Sequence, residues 1–274
     1  MPIIEENCLT INYGESGEGS DLVLLHAAGS SGAQWRSVLN VLRDRFHTLT
    51  PDLWGHGRSS FWPDPETLLH DRQAELVKRI LDEESIGTFN LVGHSYGGGT
   101  AIRFLLEHPQ MVRSLVLIEP MMPCLLRELS ETEALDELEG VQNDFRARLD
   151  AEGPEVAWKG FLDFRNDAGT WDGYGEHTRQ NFIRRTPAQL ANFNANANNH
   201  TKLADIVEIK HSTLVICGGD TSFYDMRMSK IVAENMMNAQ LLILEDAGHM
   251  SPLTHPTRIA REIIDHIKSA TINA

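Results

Sequence analysis

Cysteine and long apolar runs are both scarce in this sequence. Its 274 residues include three cysteines, Cys8, Cys124 and Cys217. That small, odd number argues against a disulfide framework and favours reduced thiols. No stretch is apolar enough to span a bilayer, and the beginning MPIIEENCLT lacks the basic and apolar regions of a signal peptide. We therefore expect a cytoplasmic protein that has no membrane partner.

Basic residues are also few in comparison with acidic ones. The sequence has 24 Lys plus Arg residues against 39 Asp plus Glu residues, which gives a formal net charge of −15. A surface of this sign repels phosphate backbones, so we expect no nucleic-acid partner. The sequence also has no evident cluster of metal ligands and no cofactor-binding motif. It therefore implies neither a metal nor a cofactor.

Short apolar runs alternate with helical patterns along most of the chain. Continuous apolar runs that are separated by amphipathic helices are typical of a parallel sheet covered on both faces. The pattern therefore predicts an α/β fold with a mostly parallel sheet. The predicted strands cover 22–25, 46–50, 89–92, 115–118, 213–216 and 241–244, and the predicted helices cover 34–45, 66–84, 97–107, 226–237 and 256–267.

Residues 121–210 interrupt this alternation, because their apolar positions follow helical spacing throughout. We interpret them as a helical cap (lid) inserted into a core domain of residues 1–120 and 211–274. Such a cap would lie over the carboxyl ends of the strands, where open α/β sheets place their ligands. A peripheral helical decoration is the alternative. The aromatic residues of this segment predict either a pocket lining or the cap's own core: Trp158, Phe161, Phe164, Trp171 and Tyr174.

The strongest local motif is Gly93-His94-Ser95-Tyr96-Gly97, which lies between a predicted strand and a predicted helix. A turn this tight forces the serine into strained dihedral angles, and glycine two residues on either side avoids a collision. The hydroxyl of Ser95 is thereby exposed above the sheet, beside the N–H groups of a helix N-terminus. Ser95 is therefore the candidate nucleophile. His94, together with Trp158 and Phe161, is a candidate substrate contact.

A candidate base follows the last predicted strand. His249 lies in Ala247-Gly248-His249-Met250, in a loop at the sheet edge that also bears Ser95. Imidazole titrates near neutral pH and can take the proton of a serine hydroxyl. We expect His26, His56 and His255 to have structural roles, and for His94 a structural role is favoured over a place in the pocket lining.

Four motifs together resemble the α/β-hydrolase superfamily over essentially the whole chain. They are His26-Ala27-Ala28-Gly29, the run from Asp52 to Ser59 (DLWGHGRS), Gly93-His94-Ser95-Tyr96-Gly97 and Gly248-His249. The resemblance implies an eight-stranded sheet with Ser95 as nucleophile and His249 as base. It also implies an oxyanion hole that is formed by the backbone N–H groups of Ala28 and Tyr96.

The acid of the triad is where the sequence departs from that family. The usual position, three residues past Gly218, holds Thr221, which has no carboxylate. Glu119 closes the preceding strand, and lactone hydrolases of the zearalenone-hydrolase kind carry a glutamate there. The sequence therefore favours Glu119, and Asp220 is the alternative acid. Asp225 lies several residues further on.

The resemblance implies a serine hydrolase that cleaves a small, mostly apolar carboxylic ester or lactone through an acyl-enzyme (EC 3.1.1 type). One alternative is carbon–carbon bond hydrolysis or perhydrolysis on the same triad. The other is a ligand-binding receptor of the same fold with little turnover. The small-molecule substrate itself is not identified by the sequence.

Overall fold

A computed structural model describes residues 2–6 and 8–272. Eight strands form one sheet in the order β1-β2-β4-β3-β5-β6-β7-β8. Strand β2 pairs antiparallel with β1 and with β4, and every other neighbouring pair is parallel. The strands are β1 (Ile3–Glu6), β2 (Leu9–Ser16), β3 (Ser20–Leu25), β4 (Phe46–Pro51), β5 (Phe89–His94), β6 (Val112–Ile118), β7 (Thr213–Gly218) and β8 (Ala239–Leu244).

Helices connect the strands and also fill the whole interval between β6 and β7. Short 3-10 turns cover Gly32–Trp35, Pro65–Thr67 and Pro109–Met111. The α-helices are α1 (Arg36–Leu42), α2 (His70–Glu83), α3 (Tyr96–Glu107), α4 (Pro123–Glu128), α5 (Thr132–Glu152), α6 (Pro154–Arg165), α7 (Thr170–Gly173), α8 (Glu176–Arg184), α9 (Thr186–Ala197), α10 (Leu203–Val207), α11 (Phe223–Asn235), α12 (Ser251–Thr254) and α13 (Pro256–Ile272). The predicted α/β fold with a mostly parallel sheet and helices on both faces is confirmed.

The two faces of the sheet bury alternate residues of the same strand. In β3, Leu22 and Leu24 pack into the cluster that includes α1 and α13, whereas Val23 and Leu25 pack into the cluster that includes α2 and α3. All four side chains are almost fully buried. This two-sided burial explains why the strand is continuously apolar instead of alternating.

Residues 121–210 contain only helices and loops in the described structure. Helices α5, α6 and α9 contribute to a separate apolar cluster, whose members are Phe145, Ala157, Trp158, Leu162, Trp171 and Phe193. Leu125 of α4 and Ile206 of α10 pack instead into the main cluster under the sheet. Leu138 of α5 and Ala195 of α9 also belong to the main cluster, so the segment packs on the core at several points and has an apolar interior of its own besides.

None of the helices in the described ranges combines the length and the apolar composition that a bilayer crossing requires.

Candidate active site

Ser95 occupies the turn between β5 and α3, with φ 54° and ψ −115°. Such a positive φ is rare and strained for a residue with a side chain. A Cβ atom on Gly93 would lie 2.5 Å from the carbonyl oxygen of Gly97, and one on Gly97 would lie 2.5 Å from the carbonyl oxygen of Leu25. The turn therefore closes only with glycine at both positions, as the motif predicts.

His249 lies after β8 and faces the end of β6. Its Nδ1 lies 2.6 Å from Oε2 of Glu119, and both side chains are buried. The other oxygen of Glu119, Oε1, accepts the backbone N–H of Gly218 at 2.7 Å, while Oε2 also accepts the hydroxyl of Thr221 at 2.8 Å. The ring thus donates from Nδ1, which leaves Nε2 available for the nucleophile.

Thr221 and Asp220, two other positions considered for the acid, do not place a carboxylate beside His249. Thr221, at the family's usual acid position, donates its hydroxyl to Glu119. Asp220 is exposed, and its backbone N–H donates to the carbonyl of Ala247. No ion pair joins Asp220 to His249 within the described chain. The structure therefore brings Glu119 to the histidine and leaves Asp220 away from it.

Asp225 on α11 is a second buried carboxylate beside the histidine. Its Oδ2 lies 3.7 Å from Nδ1 of His249 and 2.5 Å from Nη1 of Arg165, which belongs to α6. Ser222 also donates its hydroxyl to this oxygen at 2.5 Å. Burial alone would raise the pKa of Asp225, but the Arg165 guanidinium, His249 and these hydrogen bonds hold it below its ordinary value. The sequence analysis did not single out Arg165, and no local motif marks it.

Glu119, Asp225 and His249 are also the one group of potential metal ligands in the described residues whose ligand atoms lie within 4.8 Å of one another. Both oxygens of Glu119, Oδ2 of Asp225 and Nδ1 of His249 are engaged by the contacts above, whereas Oδ1 of Asp225 has no hydrogen-bond partner in the described structure. Arg165 already supplies a full positive charge to this group, since the Asp225 carboxylate keeps the pKa of the buried guanidinium raised against the effect of burial. The donor set therefore suits a proton-transfer triad better than a cation site.

The backbone N–H groups of Ala28 and Tyr96, beside Ser95, donate to no acceptor in the described part of the chain. The neighbours of Ala28 are engaged, because Ala27 donates to Oε1 of Gln34 at 3.1 Å and Gly29 donates to Nε2 of His56 at 3.3 Å. Unpaired N–H groups that line a cavity can stabilise an oxyanion. These are the two groups that the family resemblance assigns to the oxyanion hole.

His94 does not contact the cavity, so the expectation that it binds substrate is wrong. The side chain is fully buried, and Nε2 donates to the backbone carbonyl of His249 at 2.9 Å. Its Nδ1 accepts from Nε2 of Gln34 at 3.0 Å. Burial, and then the neighbouring His249, lower the pKa of His94 well below its ordinary value, so the ring is neutral. His94 and Gln34 therefore tie the loop of Ala27 to the backbone of His249.

A cavity of about 120 Å³ lies above Ser95 and His249. We call the strand ends and their loops the floor, and the floor residues that line the cavity are Ala27, Ala28, Gly29, Ser30, Ser95, Tyr96 and His249. We call the helices between β6 and β7 and their connections the roof, and the roof residues that line the cavity are Leu138, Val141, Gln142, Phe161, Leu162, Arg165, Asn166, Tyr174, Phe182, Gln189, Phe193 and Asn196. The Ser95 hydroxyl makes no hydrogen bond to any described residue, His249 included, so it is free to meet a ligand.

The three aromatic side chains on α6 have different surroundings. Phe161 lines the cavity, as expected. Trp158 does not, because it is fully buried in the apolar cluster between the helices and donates its indole N–H to the hydroxyl of Thr186 at 3.0 Å. Phe164 is 45% exposed. The expectation that Trp158 contacts substrate is therefore wrong, and the side chain packs behind the residues that line the cavity.

A mostly parallel eight-stranded sheet that carries a serine at the turn after β5 defines the α/β-hydrolase class of proteins. A family model described as the alpha/beta hydrolase fold matches residues 22–256. The chain therefore belongs to the α/β-hydrolase fold family, and it is a hydrolase.

The relatives cover nearly the whole chain at low identity. The chain is 28% identical over 267 residues to a 2-hydroxymuconate semialdehyde hydrolase from Pseudomonas sp. strain CF600. The alignment covers 94% of this chain and 90% of that enzyme. Among solved structures, a thermophilic esterase from Thermogutta terrifontis is similar with a TM-score of 0.78, 21% identity and 96% and 94% coverage. An enol-lactonase from Burkholderia xenovorans LB400 has a TM-score of 0.78, 19% identity and 97% and 100% coverage. At these identities the solved structures show a shared fold.

Proposed function

We propose that the protein hydrolyses a small, mostly apolar carboxylic ester or lactone through an acyl-enzyme on Ser95. One observation carries the proposal. A strained serine, a histidine held by a buried glutamate and two unpaired N–H groups all face one cavity. Nucleophile, base and oxyanion donors are the parts that acyl transfer needs at one place.

The proposed reaction begins when Oγ of Ser95 attacks the substrate carbonyl and gives its proton to Nε2 of His249. Glu119 keeps the other ring proton on Nδ1 and balances the imidazolium charge, and the N–H groups of Ala28 and Tyr96 bind the oxyanion. His249 then protonates the leaving alkoxide, and the acyl group remains on Ser95. Water, deprotonated by the same histidine, cleaves that ester and releases the acid. A bound substrate completes the contact between Ser95 and His249, since such contacts are often open in free enzymes.

The lining of the roof supports a mostly apolar substrate. Four aromatic side chains, Phe161, Tyr174, Phe182 and Phe193, reach the cavity. A cavity of about 120 Å³ suits a small molecule. Residues 121–210 act in this proposal as the cap domain over a core of residues 1–120 and 211–274. The three cysteines of the chain are free thiols, which suits the proposed cytoplasmic location.

A second candidate, carbon–carbon bond hydrolysis on the same residues, is favoured by the similarity to the 2-hydroxymuconate semialdehyde hydrolase from Pseudomonas sp. strain CF600. A 2-hydroxymuconate semialdehyde has no ester or lactone bond, so water must break a carbon–carbon bond in it. That relative covers nearly the whole chain. The resemblance to lactone hydrolases of the zearalenone-hydrolase kind stays a prediction.

Covalent labelling and a substrate comparison test the proposal together. A fluorophosphonate should add one adduct to the wild-type protein and none to Ser95→Ala, whereas Ser269→Ala, exposed on α13, should label fully. p-Nitrophenyl esters or simple lactones should turn over, and 2-hydroxymuconate semialdehyde should not. Labelling that survives Ser95→Ala contradicts the mechanism, and turnover of the semialdehyde alone establishes the second candidate. A protein that neither labels nor turns over any of these compounds is a binding relative of the fold.

A further inference from the structure

Arg165 is the one lysine or arginine among the described residues that line the cavity, and no aspartate or glutamate lines it. A lone guanidinium in an apolar cavity would ordinarily mark a site for a carboxylate, because the two groups pair through charge-assisted hydrogen bonds. Whether it does so here depends on the charge that already faces it.

That charge is already balanced from within the protein. Nη1 of Arg165 lies 2.5 Å from Oδ2 of Asp225, and the two side chains are 7% and 0% exposed. The same Nη1 donates to the hydroxyl of Tyr224. Glu119 is a second buried carboxylate beside Asp225, since both reach His249. The carboxylates of Asp225 and Glu119 therefore already lie near one guanidinium, in a buried site where water screens the charges little.

A carboxylate on the substrate would be a third negative charge in this group. In a buried setting, like charges within a few ångströms repel strongly, and Arg165 has no second charge with which to offset the addition. The protein's net charge of −15 also repels anions at longer range. A neutral oxygen acceptor meets neither obstacle. It can still accept a hydrogen bond from Nε or Nη2 of Arg165, which donate to no described residue.

We infer that the enzyme selects substrates that are uncharged in the part that reaches Arg165, and that Asp225 sets this selection by neutralising the guanidinium. The inference rests on the proposed function, because it names the class of substrate that enters the same cavity. Arg165 is in this view a hydrogen-bond donor to a carbonyl, hydroxyl or ether oxygen. Asp225 is a specificity-determining residue that does not itself touch the substrate.

A matched pair of esters tests the selection. Two p-nitrophenyl esters with acyl chains of equal length, one ending in a primary amide and one in a carboxylate, differ in little but charge. The wild-type protein should have a kcat/KM at least 100-fold higher for the amide. In Asp225→Asn the guanidinium loses its direct ion-pair partner, and the amide-to-carboxylate ratio should fall at least tenfold. Any damage to His249 affects both esters alike and cancels in that ratio.

Asp220→Asn is the matched control, because it removes an exposed aspartate a few residues away and should leave the ratio unchanged. A wild-type preference for the carboxylate ester overturns the inference, and so does an unchanged ratio in Asp225→Asn. The double variant Arg165→Gln/Asp225→Asn has neither charge, so it should regain the preference for the amide. If the double variant does not regain that preference, Arg165 is not the residue that the substrate charge meets, and the inference is overturned.

Binding to an inert protein covers the cases in which Asp225→Asn does not fold or no ester is turned over. Calorimetry on Ser95→Ala should detect methyl 5-amino-5-oxopentanoate and give at least tenfold weaker binding for monomethyl glutarate. Equal or tighter binding of the glutarate overturns the inference. Because this measurement needs no turnover, it separates a wrong substrate class from a wrong reaction, which the fluorophosphonate labelling tests.

Discussion

The floor and the roof of the cavity are built on different principles. Floor residues are held by the backbone. Ser95 and Glu119 have φ values of 54° and 44° at two strand ends, and Gly218 and Thr221 fix the orientation of Glu119. Roof residues are held by packed side chains, among them Phe161 in edge-to-face contact with Phe145. In our proposal the chemistry is thus set at the sheet edge, and the substrate choice is set in the helices.

The roof nevertheless supports the floor through a few polar contacts. Arg185, just before α9, lies 3.3 Å from the carbonyl oxygens of both Gly29 and Ser30. Asn192 of α9 donates to Nε2 of His56 at 3.0 Å, and the same nitrogen accepts the N–H of Gly29. Burial, and then His26, lower the pKa of His56 to about 3, so the ring stays neutral and can accept. The loop that presents the N–H of Ala28 is thus held partly from above.

The largest expected effect lies in the floor. Glu119→Gln keeps the size of the side chain but removes the charge that fixes the Nδ1 proton and stabilises the imidazolium, so kcat should fall on the order of 10⁴-fold. Asp220→Asn should change kcat less than twofold, since Asp220 is exposed and makes no ion pair with His249 in the described structure. Ester hydrolysis under saturating substrate measures both. The reverse result would move the acid to Asp220.

A stability measurement on the roof should give the next largest effect. Trp158 is fully buried, with its ring 5.4 Å from Phe145 and 5.0 Å from Phe182. Trp158→Ala should therefore lower the free energy of unfolding by about 3–5 kcal/mol in urea titrations. Phe164→Ala removes an aromatic side chain that is 45% exposed on the same helix, and it should cost less than about 1 kcal/mol. Similar losses for the two variants would mean that the apolar cluster does not hold the roof together.

The difference between floor and roof also decides how much the sequence could predict. The helix and strand alternation gave the α/β fold, but β1 and β2 lay outside it, since β2 contains Asn12 and Gly14 instead of a continuous apolar run. At the floor, Glu119 was favoured as the acid because it closes β6, where the lactone hydrolases that the chain resembles carry a glutamate. The preference for Glu119 over Asp220 agrees with the 2.6 Å contact.

The roof was far less predictable, because its long-range contacts join residues that no sequence motif and no strand end marks. The Arg165–Asp225 pair spans 60 positions and the Asn192–His56 contact spans 136. Helical spacing identifies an apolar face but not the element that it packs on. For that reason Trp158 and Phe161, which lie three residues apart on α6, could not be divided between cluster and cavity. The prediction that His94 contacts substrate was wrong for a related reason, since its partner Gln34 lies in the 3-10 turn before α1.

The smallest expected effect tests whether the roof positions the oxyanion donors. Asn192→Ala removes the bond to His56 that lies behind Gly29, so the N–H of Ala28 should become less well fixed. Losing one oxyanion donor outright costs about 3 kcal/mol of barrier. Loosening one should therefore lower kcat by about tenfold or less and leave KM nearly unchanged, because the bound substrate gains this bond mainly in the transition state.

Asn194 provides the matched control for that experiment, since it lies on the same helix, is only partly buried and makes no side-chain hydrogen bond in the described structure. Asn194→Ala should leave kcat within twofold of the wild-type value. A change in KM alone for Asn192→Ala would place α9 in substrate binding and not in the support of the floor. Equal kcat for all three proteins would show that the bond from Asn192 is not needed to fix the loop of Ala28, which the contacts of Gln34 and Arg185 would then hold.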